Sequence, residues 1–194
     1  MSKVIFDISM SLDGYIAGTG QTSDEPLGRG GERLHEWAFA GDEANDQYIR
    51  RAGSSLGAVI TGRVNYQDSI RYWDADGPTG ARRIPVFVVG SSAPENPPEN
   101  GVYTFVTHGI EAALTAAREA AGDKDVTVMG GASIGQAYLS AGLVDELSIH
   151  LVPILLGGGL RMFDSYPKDL VSLTVLDVVS TATATHLRLA TAGK

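Results

Sequence analysis

A glycine pair between a strand-like run and a helix-like run is the first feature of this sequence that could do chemistry. Residues 126–129 form a short apolar run typical of a buried strand, and Gly130 and Gly131 end it. Ser133 can then cap a helix over 134–141, where apolar residues recur at helical spacing. Glycines let a ligand approach the backbone, and the first turn of a helix offers unpaired N–H groups to an anion. The junction therefore predicts a phosphate or pyrophosphate site, although a tight turn without a ligand fits the spacing equally well.

The same residues also fit a different chemistry. Gly131-Ala132-Ser133-Ile134-Gly135 matches G-x-S-x-G, the nucleophile elbow of α/β-hydrolases, in the strand–turn–helix setting that this motif requires. Asp164 and His186 follow in the chain order of such a triad. No H-G-G segment precedes the elbow to supply an oxyanion hole, so a serine hydrolase is kept as the less favoured alternative.

Polar residues follow three other predicted strands. Asp13 stands in an Asp-Gly turn after the first strand, where it could place a carboxylate on a loop. Thr61-Gly62-Arg63 follows a short apolar strand, and its guanidinium could bind a phosphate bidentately. Ser91 and Ser92 follow a third strand and could hold phosphate or ribose. Plain turns and a surface arginine are the simpler explanations of these residues.

Alternating strands and helices must position these residues. Strands are predicted at 3–9, 58–60, 84–89, 102–106, 126–129 and 147–154, with helices at 42–52, 110–121 and 134–141. Two further strands, 173–179 and 183–190, are predicted to pair antiparallel. This order predicts an α/β fold with a mostly parallel mixed sheet and a C-terminal antiparallel hairpin. Ligands of such sheets bind at the carboxyl ends of the strands.

Composition excludes several classes of protein. The 194 residues suit a single domain, predicted to span 1–194. A net charge of −8 argues against non-specific binding to nucleic acid or an anionic membrane. The absence of cysteine excludes disulfides, thiolate nucleophiles and cysteine zinc sites, and His35–Phe39 lacks the second histidine of a zincin motif, so no metal is expected. No leader or membrane span is visible, so we expect a cytoplasmic protein.

Five segments match the pattern of one family, in order, over nearly the whole sequence. They are Ser11–Ala17, Thr61–Arg63, Val126–Ser133, Gly142–Leu147 and Pro153–Gly159. On these segments the sequence resembles the dihydrofolate-reductase-like superfamily, and it is most similar to the reductase domain of the bifunctional riboflavin-biosynthesis deaminase-reductase and its stand-alone relatives. The resemblance implies a three-layer sandwich with helices on both faces of the sheet. It also implies an NADPH-dependent reductase.

The resemblance assigns roles to the candidate residues. It places Gly130, Gly131, Ala132, Ser133 and Ile134 along the pyrophosphate, Thr61, Gly62 and Arg63 beside the cofactor phosphates, and Ser91 and Ser92 near the adenosine 2′-phosphate. Asp13 would border the nicotinamide and substrate, and it is the first candidate to place a proton or a water. Asp46 is the second, since it stands at about the distance from Gly62-Arg63 at which dihydrofolate reductases carry a pterin-binding carboxylate.

The resemblance also implies a substrate class. Hydride would pass to a C=N or sugar-aldehyde carbon of a small heterocycle, with 5-amino-6-(5-phosphoribosylamino)uracil favoured. Pterin reduction of the dihydrofolate reductase type and a non-catalytic nucleotide- or flavin-binding protein remain open. The zinc-deaminase signature of the bifunctional enzymes needs cysteines, so it cannot occur in this sequence. A homodimer that pairs through the C-terminal strands is expected.

Overall fold

A twisted sheet of eight strands forms the centre of the computed structural model, which describes residues 2–164, 166 and 171–191. Ten strands are defined: β1 Val4–Ser11, β2 Tyr15–Ala17, β3 Leu56–Gly62, β4 Val86–Val89, β5 Tyr103–Val106, β6 Asp125–Met129, β7 Glu146–Val152, β8 Leu160–Arg161, β9 Leu173–Ser180 and β10 Thr185–Thr191. The four α-helices are α1 Glu43–Ser54, α2 Arg63–Trp73, α3 Ile110–Ala121 and α4 Ala132–Ser140. Short 3₁₀ turns cover Gly31–Leu34 and Glu36–Ala38.

The order of strands across the sheet is β5-β4-β3-β6-β1-β7-β10-β9. The first six are parallel to one another, and β10 runs antiparallel to both β7 and β9. Strands β2 and β8 pair separately. The predicted fold class, a mostly parallel mixed sheet with a C-terminal antiparallel hairpin, is confirmed. Because parallel strands share a direction, six carboxyl ends meet at one edge of the sheet, which is where such folds bind ligands.

Helices α3 and α4 cover one face of the sheet. Leu114 of α3 and Tyr138 of α4 are buried in the same apolar cluster as Phe6 and Ile60 of the sheet. Gly135 lets α4 lie directly on β1, since a Cβ there would come within 2.2 Å of the Phe6 ring. This contact holds the first turn of α4 beside the central strands.

Helices α1 and α2 cover the opposite face, each over a different part of the sheet. Tyr66 of α2 packs with Val59, Val86 and other side chains of β3 and β4. Tyr48 of α1 contacts β7 and β10 instead, with its hydroxyl 3.1 Å from Ser148 Oγ and its ring 4.1 Å from that of His186. Strands β6 and β1 therefore lie between the areas that the two helices cover.

Two of the boundaries that differ from the sequence predictions bear on the carboxyl edge of the sheet. Strand β7 ends at Val152 rather than at residue 154, because Pro153 has no N–H for a further ladder bond. Helix α4 begins at Ala132 with Gly131 as its N-cap, so Ser133 lies inside the helix and does not cap it. Within the residues that the structure describes, no helix has the length and apolar character that a membrane span requires.

Candidate active site at the carboxyl edge

The carboxyl edge gathers most of the residues that the sequence singles out. Asp13 follows β1, Arg63 follows β3, Ser91 and Ser92 follow β4, and the glycine pair follows β6. All four strands belong to the parallel part of the sheet, so the four segments share one edge. Asp46 is the exception, since it lies in the first turn of α1, a helix that covers β7 and β10.

The glycine pair forms a turn that a larger residue at its first position, Gly130, would disturb. Gly130 has φ 116°, and a Cβ there would lie 2.9 Å from Cβ of Asn65 on α2. Gly131 caps α4 without any side-chain hydrogen bond, and nothing stands within 4 Å of the Cβ position that it lacks. The space beside Gly131, at the start of α4, is therefore open, and this arrangement fits a pyrophosphate at the N-terminus of the helix.

Helix α2 starts from a second uncapped glycine. Gly62 is its N-cap and makes no side-chain hydrogen bond to the first turn, while buried Thr61 accepts a bond of 2.9 Å from Asn65 Nδ2. Arg63 Nη1 donates to the carbonyl oxygen of Ser92 at 2.7 Å and also contacts the Ser92 hydroxyl. The guanidinium and the hydroxyl of Ser92 thus lie together, as a phosphate site would need.

Asp13 holds the loop that follows β7. Its Oδ1 accepts hydrogen bonds from Ser11 Oγ at 2.6 Å and Leu156 N at 3.1 Å, and its Oδ2 accepts from Gly157 N at 2.7 Å. These bonds, that from Ser11 first, lower the pKa of Asp13 to about 2. At neutral pH the group is an ionised acceptor that fixes two loops against each other. A catalytic role for Asp13 stays a prediction, and the geometry adds a positioning role.

Asp46 is half-buried on α1, and its neighbour Asn45 is the residue that packs against the sheet. Asn45 is fully buried, and Tyr48 joins it on the side of the helix that faces β7 and β10. Among the described residues the Asp46 carboxylate has no hydrogen-bond partner. Its part in substrate binding or proton transfer stays a prediction.

The sequence reading missed a buried polar network formed by Asp7, His150, His186, Asn45 and Thr183. Asp7 Oδ2 lies 3.1 Å from His150 Nε2, and the two Nδ1 atoms of His150 and His186 are 2.9 Å apart. His186 Nε2 lies 3.1 Å from Asn45 Oδ1, and Asn45 Nδ2 donates to Thr183 Oγ1 at 2.8 Å. Both histidines are buried, whereas the Asp7 side chain keeps 36% of its surface exposed. The network is thus open to solvent at its Asp7 end.

Aromatic rings enclose both histidines. The Trp37 ring centroid lies 4.4 Å from that of His150 and 4.7 Å from that of His186, and Tyr48 stacks on His186 at 4.1 Å. Trp37 Nε1 donates to Ser9 Oγ, which ties the 3₁₀ segment to β1. One sequence signal could have revealed the network. Asp7 is a lone charge in the first strand, and it shares a face with Ser9 there by period-2 alternation.

The hydrolase triad is not assembled. Ser133 is exposed on α4, whose buried residues join the apolar cluster on one face of the sheet. His186 is buried on the other face, where His150 and Asn45 contact its two ring nitrogens. Asp164 lies beside Arg161, 3.7 Å away. The serine hydrolase alternative is therefore wrong.

A shallow cavity of about 480 Å³ lies beside the 3₁₀ segment. It is lined by Leu27, Glu32, His35, Glu36, Phe39 and Ala40. His35 Nδ1 is buried without a hydrogen-bond partner. The pKa of His35 is lowered by burial and by His150, while Asp7 acts in the opposite direction. Within the described ranges, no three His, Asp or Glu side chains are grouped as a metal site would require.

Comparison with known families gives one match over almost the whole chain. The family model described as RibD C-terminal domain matches residues 2–187. Among individual proteins, the riboflavin biosynthesis protein RibD of Corynebacterium ammoniagenes is 28% identical over 159 residues, which are 82% of this chain and 45% of that protein. The chain therefore spans less than half of that relative.

Two solved structures extend the comparison to the fold. A protein of Shewanella sp. PV-4 assigned to riboflavin biosynthesis is 25% identical with a TM-score of 0.68, covering 98% of this chain and 99% of the other. A Thermotoga maritima diaminohydroxyphosphoribosylaminopyrimidine deaminase/5-amino-6-(5-phosphoribosylamino)uracil reductase is 14% identical with a TM-score of 0.66, covering 98% of this chain and 57% of the other. The fold is thus dihydrofolate reductase-like.

Proposed function

Because this chain belongs to the RibD C-terminal domain family, we propose that it is an NADPH-dependent reductase of a small heterocyclic substrate. The substrate that the proposal favours is 5-amino-6-(5-phosphoribosylamino)uracil or a close relative. The observation that carries the proposal is the pair of uncapped helix N-termini at Gly62 and Gly131, which open at the same edge of the sheet. Two such termini next to Arg63 suit a ligand with several phosphates.

Different residues at this edge would bind different parts of the cofactor. Gly130, Gly131 and the first turn of α4 would hold the pyrophosphate through backbone N–H groups. Arg63 and Ser92, which contact each other, would hold the phosphate at the adenosine end. The bound nicotinamide would supply a hydride equivalent to an electrophilic carbon of the substrate. The protein would orient the two reactants and exclude water.

Asp13 fixes the positions of two loops at this site. Its bonds to Leu156 N and Gly157 N fix the loop after β7 against the turn after β1. Both segments stand at the carboxyl edge beside β1, the strand that pairs with β6 and so lies next to the glycine turn. We assign the substrate and nicotinamide to this region, with the loop as one wall.

The proposal also covers the setting of the enzyme. It includes a cytoplasmic location and a homodimer that forms through the C-terminal strands. Strand β9 supports the dimer, since it is the outer strand of the sheet and leaves Val175 and Val178 exposed. A dimer should appear in sedimentation at micromolar concentration, and replacement of Val175 by Lys should dissociate it.

Cofactor binding is the first test of the proposal. NADPH and NADH are titrated into the protein, and ligand fluorescence reports the dissociation constants. We expect NADPH to bind more tightly. Loss of one charge-assisted contact in Arg63→Ala, about 1.5–3 kcal/mol, should weaken NADPH binding roughly 10- to 150-fold and erase the preference. Arg71→Ala is the matched control, because Arg71 lies on the same helix and contacts only the carbonyl of Asp24 among the hydrogen bonds described.

Turnover separates the remaining alternatives. NADPH oxidation is followed by absorbance with 5-amino-6-(5-phosphoribosylamino)uracil and, separately, with dihydrofolate. Oxidation with the first compound supports the proposed substrate class, and oxidation with the second supports pterin reduction. Tight NADPH binding without oxidation by either compound would favour a non-catalytic nucleotide-binding protein. The proposal fails if neither nicotinamide cofactor binds.

A further inference from the structure

The buried polar network reaches the glycine turn through the register of the sheet. Asp7 on β1 pairs with Met129, the last residue of β6, and Met129 pairs in turn with Thr61 on β3. Residues paired across parallel strands point to the same face, so Asp7 shares a row with Thr61. Gly130 directly follows Met129. The open end of the network therefore stands next to the predicted cofactor turn.

Asp7 also lies in the gap between the two helices on that face. Tyr66 of α2 packs over β3 and β4, and Tyr48 of α1 packs over β7 and β10. Strand β1 lies between these pairs in the sheet. This position explains why the Asp7 side chain remains 36% exposed although its partner His150 is only 5% exposed. A small heterocycle in the gap would meet a carboxylate at its floor.

The hydrogen bonds of the network can be satisfied in two protonation states. With the Asn45 amide as placed, its oxygen accepts from His186 Nε2, so a neutral His186 accepts at Nδ1 from His150. His150 then donates from both ring nitrogens, to His186 and to the Asp7 carboxylate. If the Asn45 amide turns by 180°, every contact is kept with one proton fewer and with His150 neutral. The network can therefore hold or lose one proton without losing a hydrogen bond.

The electrostatics agree with this arrangement. Burial, and then the proximity of His150, lowers the pKa of His186 to about 4, so His186 is neutral near pH 7. Burial acts to raise the pKa of Asp7, but His150, Ser148 and His186 together outweigh it and leave the pKa below its usual value. The titratable side chains that interact with Asp7 from the elements packed around it are His35, Tyr48, His150 and His186. Asp7 is thus an ionised acceptor backed by an imidazole.

We propose that Asp7 and His150 form the acid that protonates the substrate, with Asp7 as the catalytic group and His150 as the proton store behind it. The inference rests on the proposed reductase function and identifies the proton donor of that site. It implies a substrate whose reduced bond ends in nitrogen or oxygen, such as C=N or C=O. That atom must lie over Asp7, on the side away from His150.

The atoms and electrons balance in this step. As the substrate carbon accepts hydride, the π electron pair of the C=N or C=O bond moves onto the heteroatom. His150 Nε2 transfers its proton to the ionised Asp7 carboxylate across their 3.1 Å contact, and the carboxyl group so formed gives a proton to the heteroatom. The nicotinamide leaves oxidised, and His150 regains its proton from solvent through Asp7. Asp13 suits this task less well, since three donors already occupy its carboxylate and none of them is a titratable side chain.

Two substitutions test the inference, with a matched control. Asp7→Asn and His150→Gln should each lower kcat for NADPH oxidation about 100-fold or more, with 5-amino-6-(5-phosphoribosylamino)uracil as the probe. NADPH affinity should change by less than about 3-fold, because neither residue belongs to the turn that binds phosphate. Asp177→Asn is the control. Asp177 is similarly exposed at 39% and pairs with Arg51 on the outer strand β9, so kcat should stay unchanged.

A second readout does not depend on turnover. The ¹⁵N shifts of the labelled imidazoles are recorded against pH in the wild type and in Asp7→Asn. We expect the shift of His150 Nε2 to change in Asp7→Asn, because the carboxylate that accepts its hydrogen bond is gone, and we expect the pH profile of kcat to change as well. A merely structural role for Asp7 would alter the melting temperature of the protein and leave the pH profile of kcat unchanged.

The outcomes distinguish the inference from the function on which it rests. Failure of the wild type to bind NADPH contradicts the reductase proposal. If the wild type binds NADPH but a folded Asp7→Asn keeps its turnover and pH profile, the inference alone is overturned. It is overturned equally, whatever the substrate, if the His150 shifts do not respond to Asp7→Asn.

Discussion

Replacement of Gly131 by Ala offers the sharpest separation of ligand binding from stability. Gly131 has φ −72° and ψ 172°, which alanine adopts without strain, and nothing lies within 4 Å of the added Cβ. Alanine is a poorer N-cap than glycine by about 0.5–1 kcal/mol. Alanine also makes the unfolded chain less flexible, which stabilises the folded protein by about 0.4–1 kcal/mol. The free energy of unfolding should change by less than about 0.5 kcal/mol. The melting temperature should therefore move by less than about 2 °C.

Cofactor binding should respond quite differently to Gly131→Ala. A methyl group in front of the first turn of α4 would occupy the space through which a pyrophosphate reaches the N–H groups. The loss of one or more charge-assisted bonds, each about 1.5–3 kcal/mol, should raise the dissociation constant of NADPH roughly 10- to 150-fold. Calorimetric titration measures the binding, and differential scanning calorimetry measures the stability.

Gly130→Ala is the informative contrast. Gly130 has φ 116°, and an added Cβ would lie 2.9 Å from Asn65 Cβ, so this variant should lose about 1–3 kcal/mol of stability as well as affinity. If Gly131→Ala binds NADPH as the wild type does, with an unchanged melting temperature, then the turn does not approach the cofactor. The assignment of the pyrophosphate to α4 would then be refuted.

Three further predictions concern stability. The folded pKa of Asp13, about 2, lies below its ordinary 3.8, so the stabilisation from its ionised form is present at neutral pH and is lost as pH falls from about 4 through 2. The difference in melting temperature between wild type and Asp13→Asn should therefore vanish over that pH range. A constant difference would contradict the ionised contact. The folded pKa of His186, about 4, also lies below its ordinary 6.5, so the unfolded chain binds more protons than the folded protein between these pH values. The free energy of unfolding, measured with urea, should therefore fall as pH falls from about 6.5 to 4. It should fall less steeply in His186→Gln. Gly135→Ala should destabilise the protein by about 1–3 kcal/mol, since its Cβ would meet the Phe6 ring at 2.2 Å, and Phe6→Leu should restore part of the loss in a double mutant.

The sequence predicted those features whose evidence is local. The apolar run at 126–129 and the glycines behind it lie within a few residues, so periodicity alone indicates a strand, a turn and a helix there. Asp42 is likewise recognisable before α1, and it accepts bonds from Ala44 N and Asn45 N as an N-cap. The mostly parallel sheet with a C-terminal antiparallel hairpin followed from the alternation of such elements and the two late strands.

The buried polar network could not be predicted in the same way. Asp7 and His150 are separated by 143 residues, and His150 and His186 by 36. Each strand alone shows only which side chains share a face, whereas the contacts depend on register between strands that are distant in sequence. The partners of Asp13 could not be predicted for another reason. Leu156 N and Gly157 N are backbone groups, which every residue type except proline carries, so the sequence does not indicate them.

The central place of β1 also sets the order in which the protein can fold. Strand β1 is synthesised before the other strands of the sheet, yet it pairs with β6 and β7. At about 5–20 residues per second, the ribosome needs roughly 7–30 s to pass from Asp7 to His150. During that time β3, β4, β5 and β6 can already pair with one another. The strand that carries Asp7 thus finds its second neighbour only after β7 has been made, and the candidate active site is completed only when the C-terminal half of the chain has emerged.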